Sequence, residues 1–123
     1  MFVHANIGSV PAFSPVHEYA DWYWSHFSET PLPDAILQAP APMPEVAAWH
    51  REHFPEVQTF DDFIPMLTYE QWDAGAIAAL AVDAGMRYLV HVTKHHDGFC
   101  WWASPTTPRT SARMGPKRDV VGD

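Results

Sequence analysis

Residues 84–100 read AGMRYLVHVTKHHDGFC, and this stretch decides the fold. Gly85 supplies a left-handed stop for the segment before it. The run from Met86 to Val92 is nearly continuous in apolar and β-branched side chains, which predicts a strand buried on both faces, as in a parallel sheet under helices. Upstream, Thr68 is placed to cap a helix in which Trp72, Ala76, Ile77, Leu80, Ala81 and Ala84 recur at helical spacing. Helix, glycine and buried strand make an α/β unit. The apolar run gives way abruptly to Thr93-Lys94-His95-His96-Asp97-Gly98-Phe99, and in α/β folds the C-terminal end of a strand is where chemistry sits.

Working outward, residues 1–10, MFVHANIGSV, read as an opening strand closed by Pro11 and Pro15. A chain that starts inside a core strand is expected to be truncated there. Glu18 to Phe27 predicts a helix with Tyr19, Trp22, Tyr23 and Phe27 on one broad face. Pro31, Pro33, Pro40, Pro42 and Pro44 remove amide donors and predict an irregular loop. Pro44 to Phe54 reads as a short helix with proline in its first turn, and Phe60 to Leu67 as a brief helical turn. Residues 103–119 form a polar loop, and Asp119 to Asp123 read as the first turn of a helix that is not completed. No internal repeat is present.

The 123 residues have the length of one domain, and 47% hydrophobic content excludes intrinsic disorder. A net charge of −8 leaves no basic footprint for nucleic acid or anionic lipid, so neither is an expected partner. The apolar stretch Ala76 to Val82 is far short of the roughly 20 residues that span a bilayer, and no stretch resembles a signal peptide. A single cysteine, Cys100, excludes an internal disulfide and reads as a small buried hydrophobe. Six Trp, four Tyr, seven Phe and eight His, more His than Lys and Arg together, suit uncharged, hydroxyl-rich ligands.

Two constellations can carry chemistry. In Lys94-His95-His96-Asp97, adjacent strand residues point to opposite faces, so both imidazoles reach one site only if the backbone bends, which Asp97-Gly98 permits. The competing reading is one core histidine and one solvated histidine. A metal centre is a third use, but this stretch has neither His-x-His nor HExxH spacing, so no metal ligand is assigned. The second constellation is His4, at the end of the first strand, with Asp21 among Tyr19, Trp22 and Tyr23. A carboxylate among aromatics can accept sugar hydroxyl protons while a ring covers the apolar sugar face; its alternative is a solvated acid on an amphipathic helix.

Several segments together resemble one family. Phe2-Val3-His4 with Ser9-Val10-Pro11, Tyr19-Ala20-Asp21-Trp22-Tyr23, Ala84 to Tyr88, KHHDGFC at 94–100 with Trp102, and GPKRDVVG at 115–122 are similar to the N-terminal half of the catalytic domain of glycoside hydrolase family 29, the α-L-fucosidases. The resemblance implies a partial (β/α)8 TIM barrel, an α/β fold of which this chain supplies the first two strands, and a chain 1–123 that is an N-terminal fragment cut at both ends. It implies retaining exo-hydrolysis of terminal α-L-fucose from a fucosylated oligosaccharide or glycoconjugate, without a cofactor. It places His4, Asp21, Trp22, His95 and His96 as fucose-binding residues, with Phe2, Tyr19 and Trp102 as aromatic neighbours. No catalytic residue is assigned in this chain; nucleophile and acid/base are expected beyond Asp123. Where the family has His-Trp-Gly after the first strand, Ala5 and Asn6 follow His4, and Asp21 stands in place of the usual Glu. A non-catalytic fucose-binding relative and a metal-dependent barrel hydrolase remain as alternatives.

Overall fold

The computed structural model describes residues 1–28 and 40–123. In chain order the elements are β1 (Phe2–Val3), 3₁₀ turns at Ile7–Ser9 and Ala20–Trp22, α1 (Tyr23–His26), α2 (Pro44–His53), a 3₁₀ segment Phe60–Met66, α3 (Ala74–Asp83) and β2 (Val90–His91). The residues fall into two compact units, one made of Met1–Asn6 with Ile64–Asp123 and the other of Ile7–Phe63. Among the described residues no helix is long and apolar enough to cross a membrane.

The first unit contains the strand pair. β1 and β2 run parallel, with Phe2 opposite Val90 and Val3 opposite His91. The Val90 amide donates to the Met1 carbonyl at 2.8 Å and the Val92 amide to the Val3 carbonyl at 2.9 Å. Below the sheet end, Trp101 is fully buried, donating its indole N–H to the Ala5 carbonyl at 3.1 Å and packing edge-on to Phe99. Ile64, Leu67, Phe99, Cys100 and Val120 complete this core, so Cys100 is the buried hydrophobe its surroundings predicted. Gly115, at φ +58, packs so close to the Ile64 carbonyl that a Cβ would lie 2.7 Å from that oxygen.

Several expectations are corrected here. The opening strand is only Phe2–Val3, because Ile7–Ser9 closes into a 3₁₀ turn and carries the chain away. The helix after Thr68 begins later: Tyr69 sits at φ +54, which a helix interior excludes, and Asp73 caps α3 by accepting the Ala76 amide at 2.8 Å. Trp72 is thereby outside the helix. Gly85 ends α3's approach to the strand at φ +71, as its sequence position predicts. Met86 to Val92 is not buried on both faces; Tyr88 is 76% exposed and Leu89 and Val90 remain accessible, because the faces of a parallel strand are buried only where other elements pack over them, and β2 has β1 as its one strand partner among the described residues. Asp119 closes a hydrogen-bonded turn, accepting the Gly122 and Asp123 amides on its carbonyl, which agrees with a helical first turn.

The second unit is built around aromatic rings. The expected helix over 18–27 breaks into the 3₁₀ turn Ala20–Trp22 and the single turn α1, since His17 at φ +74 and the extended Tyr19 (φ −119, ψ 132) keep the chain out of helix before Ala20. α2 starts at Pro44, as proline's fixed φ at a first helical position predicts. Pro31 and Pro33 lie outside the described residues. Buried Tyr23, His50 and Phe63 form the centre, where the His50 Nε2–H donates to the Val57 carbonyl at 3.0 Å. That bond leaves Nδ1 of the neutral ring to accept the Tyr23 hydroxyl proton at 2.9 Å. Burial pushes the Tyr23 phenol well above its ordinary value. Asp62 accepts the Gln58 and Thr59 amides at 3.0 and 2.7 Å, opening the segment Phe60–Met66, and these bonds hold its carboxyl below the ordinary range.

Candidate functional site: three imidazoles at a strand end

Parallel pairing in register puts the C-terminal ends of β1 and β2 side by side. His4 follows Val3. After β2 the chain continues to Lys94 and then reverses: the Gly98 amide donates to the His95 carbonyl at 3.0 Å, closing a β-turn whose central residues are His96 and Asp97. Gly98 sits at φ +77, a conformation that a side chain disfavours. Asp97 Oδ1 accepts the Phe99 amide at 3.0 Å, and Lys94 pairs antiparallel with Cys100 across the turn. The backbone bend that Asp97-Gly98 predicted is therefore present.

Its consequence is a contiguous set of rings. The His4 and His95 centroids are 4.6 Å apart and the His95 and His96 centroids 4.0 Å apart, at interplanar angles of 50° and 61°. His4 is exposed and His95 and His96 are half-buried, so the set faces solvent without being wholly hydrated. Each neutral imidazole offers one donor and one acceptor nitrogen, the complement of a hydroxyl that both gives and takes a proton. The alternative of one core and one solvated histidine is not what the turn produces, since both rings have similar burial and touch each other.

The remaining predicted residues are placed as follows. In the same unit, Phe2 is 77% exposed on β1 and Trp102 is half-buried beside the structural Trp101. Asp21, Trp22 and Tyr19 belong to the second unit, Asp21 and Trp22 half-buried on the 3₁₀ turn and Tyr19 71% exposed just before it. The Trp22 and Trp24 rings stack at 6.2 Å. The second unit also holds a cavity of about 780 Å³ lined by Trp24, Phe27, His50, Arg51, Phe54 and Phe60, to which no motif pointed. Arg109 was equally invisible in sequence: its Nη1 donates to the Asp97 carbonyl at 2.6 Å across eleven intervening residues of irregular chain, a separation at which no periodicity exists to read.

The alpha-L-fucosidase family model matches residues 1–123. The chain belongs to the α-L-fucosidase family. It is 32% identical to a putative alpha-L-fucosidase of Caenorhabditis elegans, covering 100% of this chain and 23% of that protein, and 32% identical to the tissue alpha-L-fucosidase of Mus musculus, covering 100% and 24%. The alpha-fucosidase of Thermotoga maritima superposes with a TM-score of 0.78 at 33% identity, over 99% of this chain and 27% of that one. A second structure of that enzyme, in complex with fucose, matches with the same TM-score over 98% of this chain. The chain spans about a quarter of the length of the curated relatives it matches. Family membership thus extends over the strand ends, the histidine turn and the segment carrying Asp21 alike.

Proposed function

We propose that this chain supplies the fucose-binding wall of a retaining exo-α-L-fucosidase acting on terminal α-L-fucose of an oligosaccharide or glycoconjugate. The observation that carries the reading is the set of three touching imidazoles at the C-terminal ends of two parallel strands, in a chain matched by the fucosidase family over its whole length. His4, His95 and His96 exchange hydrogen bonds with the sugar hydroxyls as neutral rings. Asp21 accepts further hydroxyl protons, and Trp22, with Phe2, Tyr19 and Trp102 as aromatic neighbours, covers apolar sugar surface. The parallel pair β1–β2, joined through α3, forms the first two strands of a (β/α)8 barrel, an arrangement supported by the usual crossover of such units. The nucleophile and the general acid, the two carboxyl groups such a reaction requires, belong to the part of the relatives that this chain does not span.

The test is kinetic, in the full-length protein. His95→Ala and His96→Ala are each expected to cost on the order of 1–3 kcal/mol in kcat/KM for an aryl α-L-fucoside, the scale of a desolvated polar partner left unmade. Wild-type kcat/KM in both variants overturns the assignment of the wall. Wild-type protein that binds fucose but shows no turnover supports a non-catalytic fucose-binding relative instead, and activity abolished by a chelator and restored by a divalent ion supports a metal-dependent hydrolase.

A further inference from the structure

The turn that presents His95 and His96 is held by a residue distant in sequence. Arg109 Nη1 donates to the Asp97 carbonyl at 2.6 Å. Where that guanidinium starts from is fixed by backbone: the Arg109 amide donates to Thr107 Oγ1 at 3.2 Å, and the Arg109 carbonyl accepts the Cys100 amide at 3.0 Å. Cys100 in turn pairs parallel with Thr110 and gives its carbonyl to the Ser111 amide at 2.8 Å. The strand leaving the turn and the segment bearing Arg109 are thus registered to each other, and the side chain folds back over the turn itself.

Asp97 is the second central residue of the turn closed between His95 and Gly98. The direction of its carbonyl sets the peptide plane that enters Gly98, and with it the form of the turn on which both imidazoles ride. Gly98 makes room for the clamp, since a Cβ there would lie 3.1 Å from Arg109 Nη1. A bond from a charged guanidinium to a carbonyl is stronger than a neutral one, and Arg109 is half-buried, which reduces competition from water.

Resting on the fucose-site reading, we propose that Arg109 is a positioning residue of that site: by pinning the Asp97 carbonyl it keeps the turn in the form that packs His95 between His4 and His96. It touches no sugar. Its effect reaches the ligand only through the two rings. Arg109→Met keeps an aliphatic stem and removes the donor, whereas Arg109→Lys restores one charged donor without the planar fork.

The experiment compares these two variants with wild type in the full-length protein, with Asp73→Ala at the α3 cap as a control that lowers stability without touching the turn. Fucose affinity is measured by calorimetry, His95 and His96 ring nitrogens by NMR of ¹⁵N-histidine-labelled protein, and stability by thermal unfolding. Arg109→Met is expected to weaken fucose binding about tenfold, the scale of one hydrogen bond to the sugar broken by a misplaced ring, and to shift both ring signals. Arg109→Lys is expected to recover affinity to within about threefold of wild type, and Asp73→Ala to keep wild-type affinity despite its lower Tm. Arg109→Met with wild-type affinity and unmoved ring signals overturns the proposal while leaving the fucose site standing. Loss of affinity that tracks Tm equally in Arg109→Met and Asp73→Ala also overturns it, in favour of a purely structural role. Should Arg109→Met fail to fold, Arg109→Gln, whose shorter side chain cannot span to the Asp97 carbonyl, decides: shifted ring signals with weakened binding at wild-type Tm support the clamp, and wild-type signals and affinity overturn it. Wild-type protein that binds no fucose overturns the function and this role together.

Discussion

His95 and His96 are consecutive, and in an extended strand their side chains would point to opposite faces; the turn closed by the Gly98 amide instead brings their rings to 4.0 Å. That bend was legible because Asp97 and Gly98, the residues that make it, are adjacent to the histidines they serve. Arg109 was not, because what matters there is a guanidinium returning over a turn that only the folded backbone brings near. Asp21 lies between these cases: its aromatic setting is visible in sequence, but its role depends on where a short 3₁₀ turn places it. If it accepts sugar hydroxyl protons, charge and not shape is what counts. Asp21→Asn in the full-length protein is therefore expected to lower kcat/KM on a fucoside by about tenfold or more, the loss of a charge-assisted bond, while Asp21→Glu is tolerated and Glu18→Gln serves as the control acid. An inert Asp21→Asn beside a crippled Glu18→Gln would return Asp21 to the solvated face. His26 yields a prediction of another kind. It is buried, and desolvation lowers its pKa despite the opposing pull of Glu18, 4.0 Å away, and of Asp21. The unfolded chain takes up a proton near about pH 6.5, which the folded chain does not until lower pH. Stability from this group is therefore present above that value and is lost as pH falls through the lowered folded pKa. Thermal unfolding between pH 7.5 and 5.5 is expected to show a smaller loss in His26→Phe than in wild type; identical pH profiles would remove His26 as the cause.

At the scale of elements, local chemistry is legible where one residue fixes the backbone and misleading where an apolar pattern runs past a break in it. Pro44 opens α2 because its ring fixes φ near the helical value, and Gly85 follows α3 in a left-handed conformation because it has no Cβ to oppose a positive φ. At the start of α3, apolar periodicity running back to Trp72 points to Thr68 as the cap. Tyr69 at φ +54 interrupts that run, and the Asp73 carboxylate takes the cap. Asp73→Ala is expected to cost about 1 kcal/mol in stability, and Thr68→Ala within about 0.5 kcal/mol of none, as surface positions without such a bond usually do. Denaturant titration of the two variants checks this, and a larger loss from Thr68→Ala would contradict the assigned cap. The opening strand and the 18–27 helix were overextended for a related reason. Apolar and aromatic character continues through both segments, but Ile7–Ser9 and His17 turn the backbone away from the regular geometry that character suggests.

At the scale of the whole molecule, the described residues leave unusual apolar surface open. Phe2, Leu80, Val82 and Tyr88 are each between 61% and 77% exposed, and Val90 on β2 is accessible as well. Surface of this kind on a parallel strand pair and on α3 and the segment leading into β2, in a chain spanning about a quarter of its relatives' length, is what the proposed barrel would cover with further strands and helices. The net charge of −8 opposes association, but unpaired strand edges and exposed aromatics favour it at short range. An isolated chain of residues 1–123 is therefore expected to aggregate in a concentration-dependent way and to show no turnover of an aryl α-L-fucoside. Tyr88→Lys separates exposure as such from an unfilled position in a larger fold. In the isolated chain, a charge at this accessible site should raise the monomer fraction seen by sedimentation. In the full-length protein the same substitution should lower Tm, because the proposed barrel would bury Tyr88 and an unpaired ammonium there is costly. Opposite signs in the two settings would be the signature of a strand completed by chain outside residues 1–123. A Tyr88→Lys full-length protein as stable as wild type would mean that this surface stays open, and the barrel reading of β2 would fail with it.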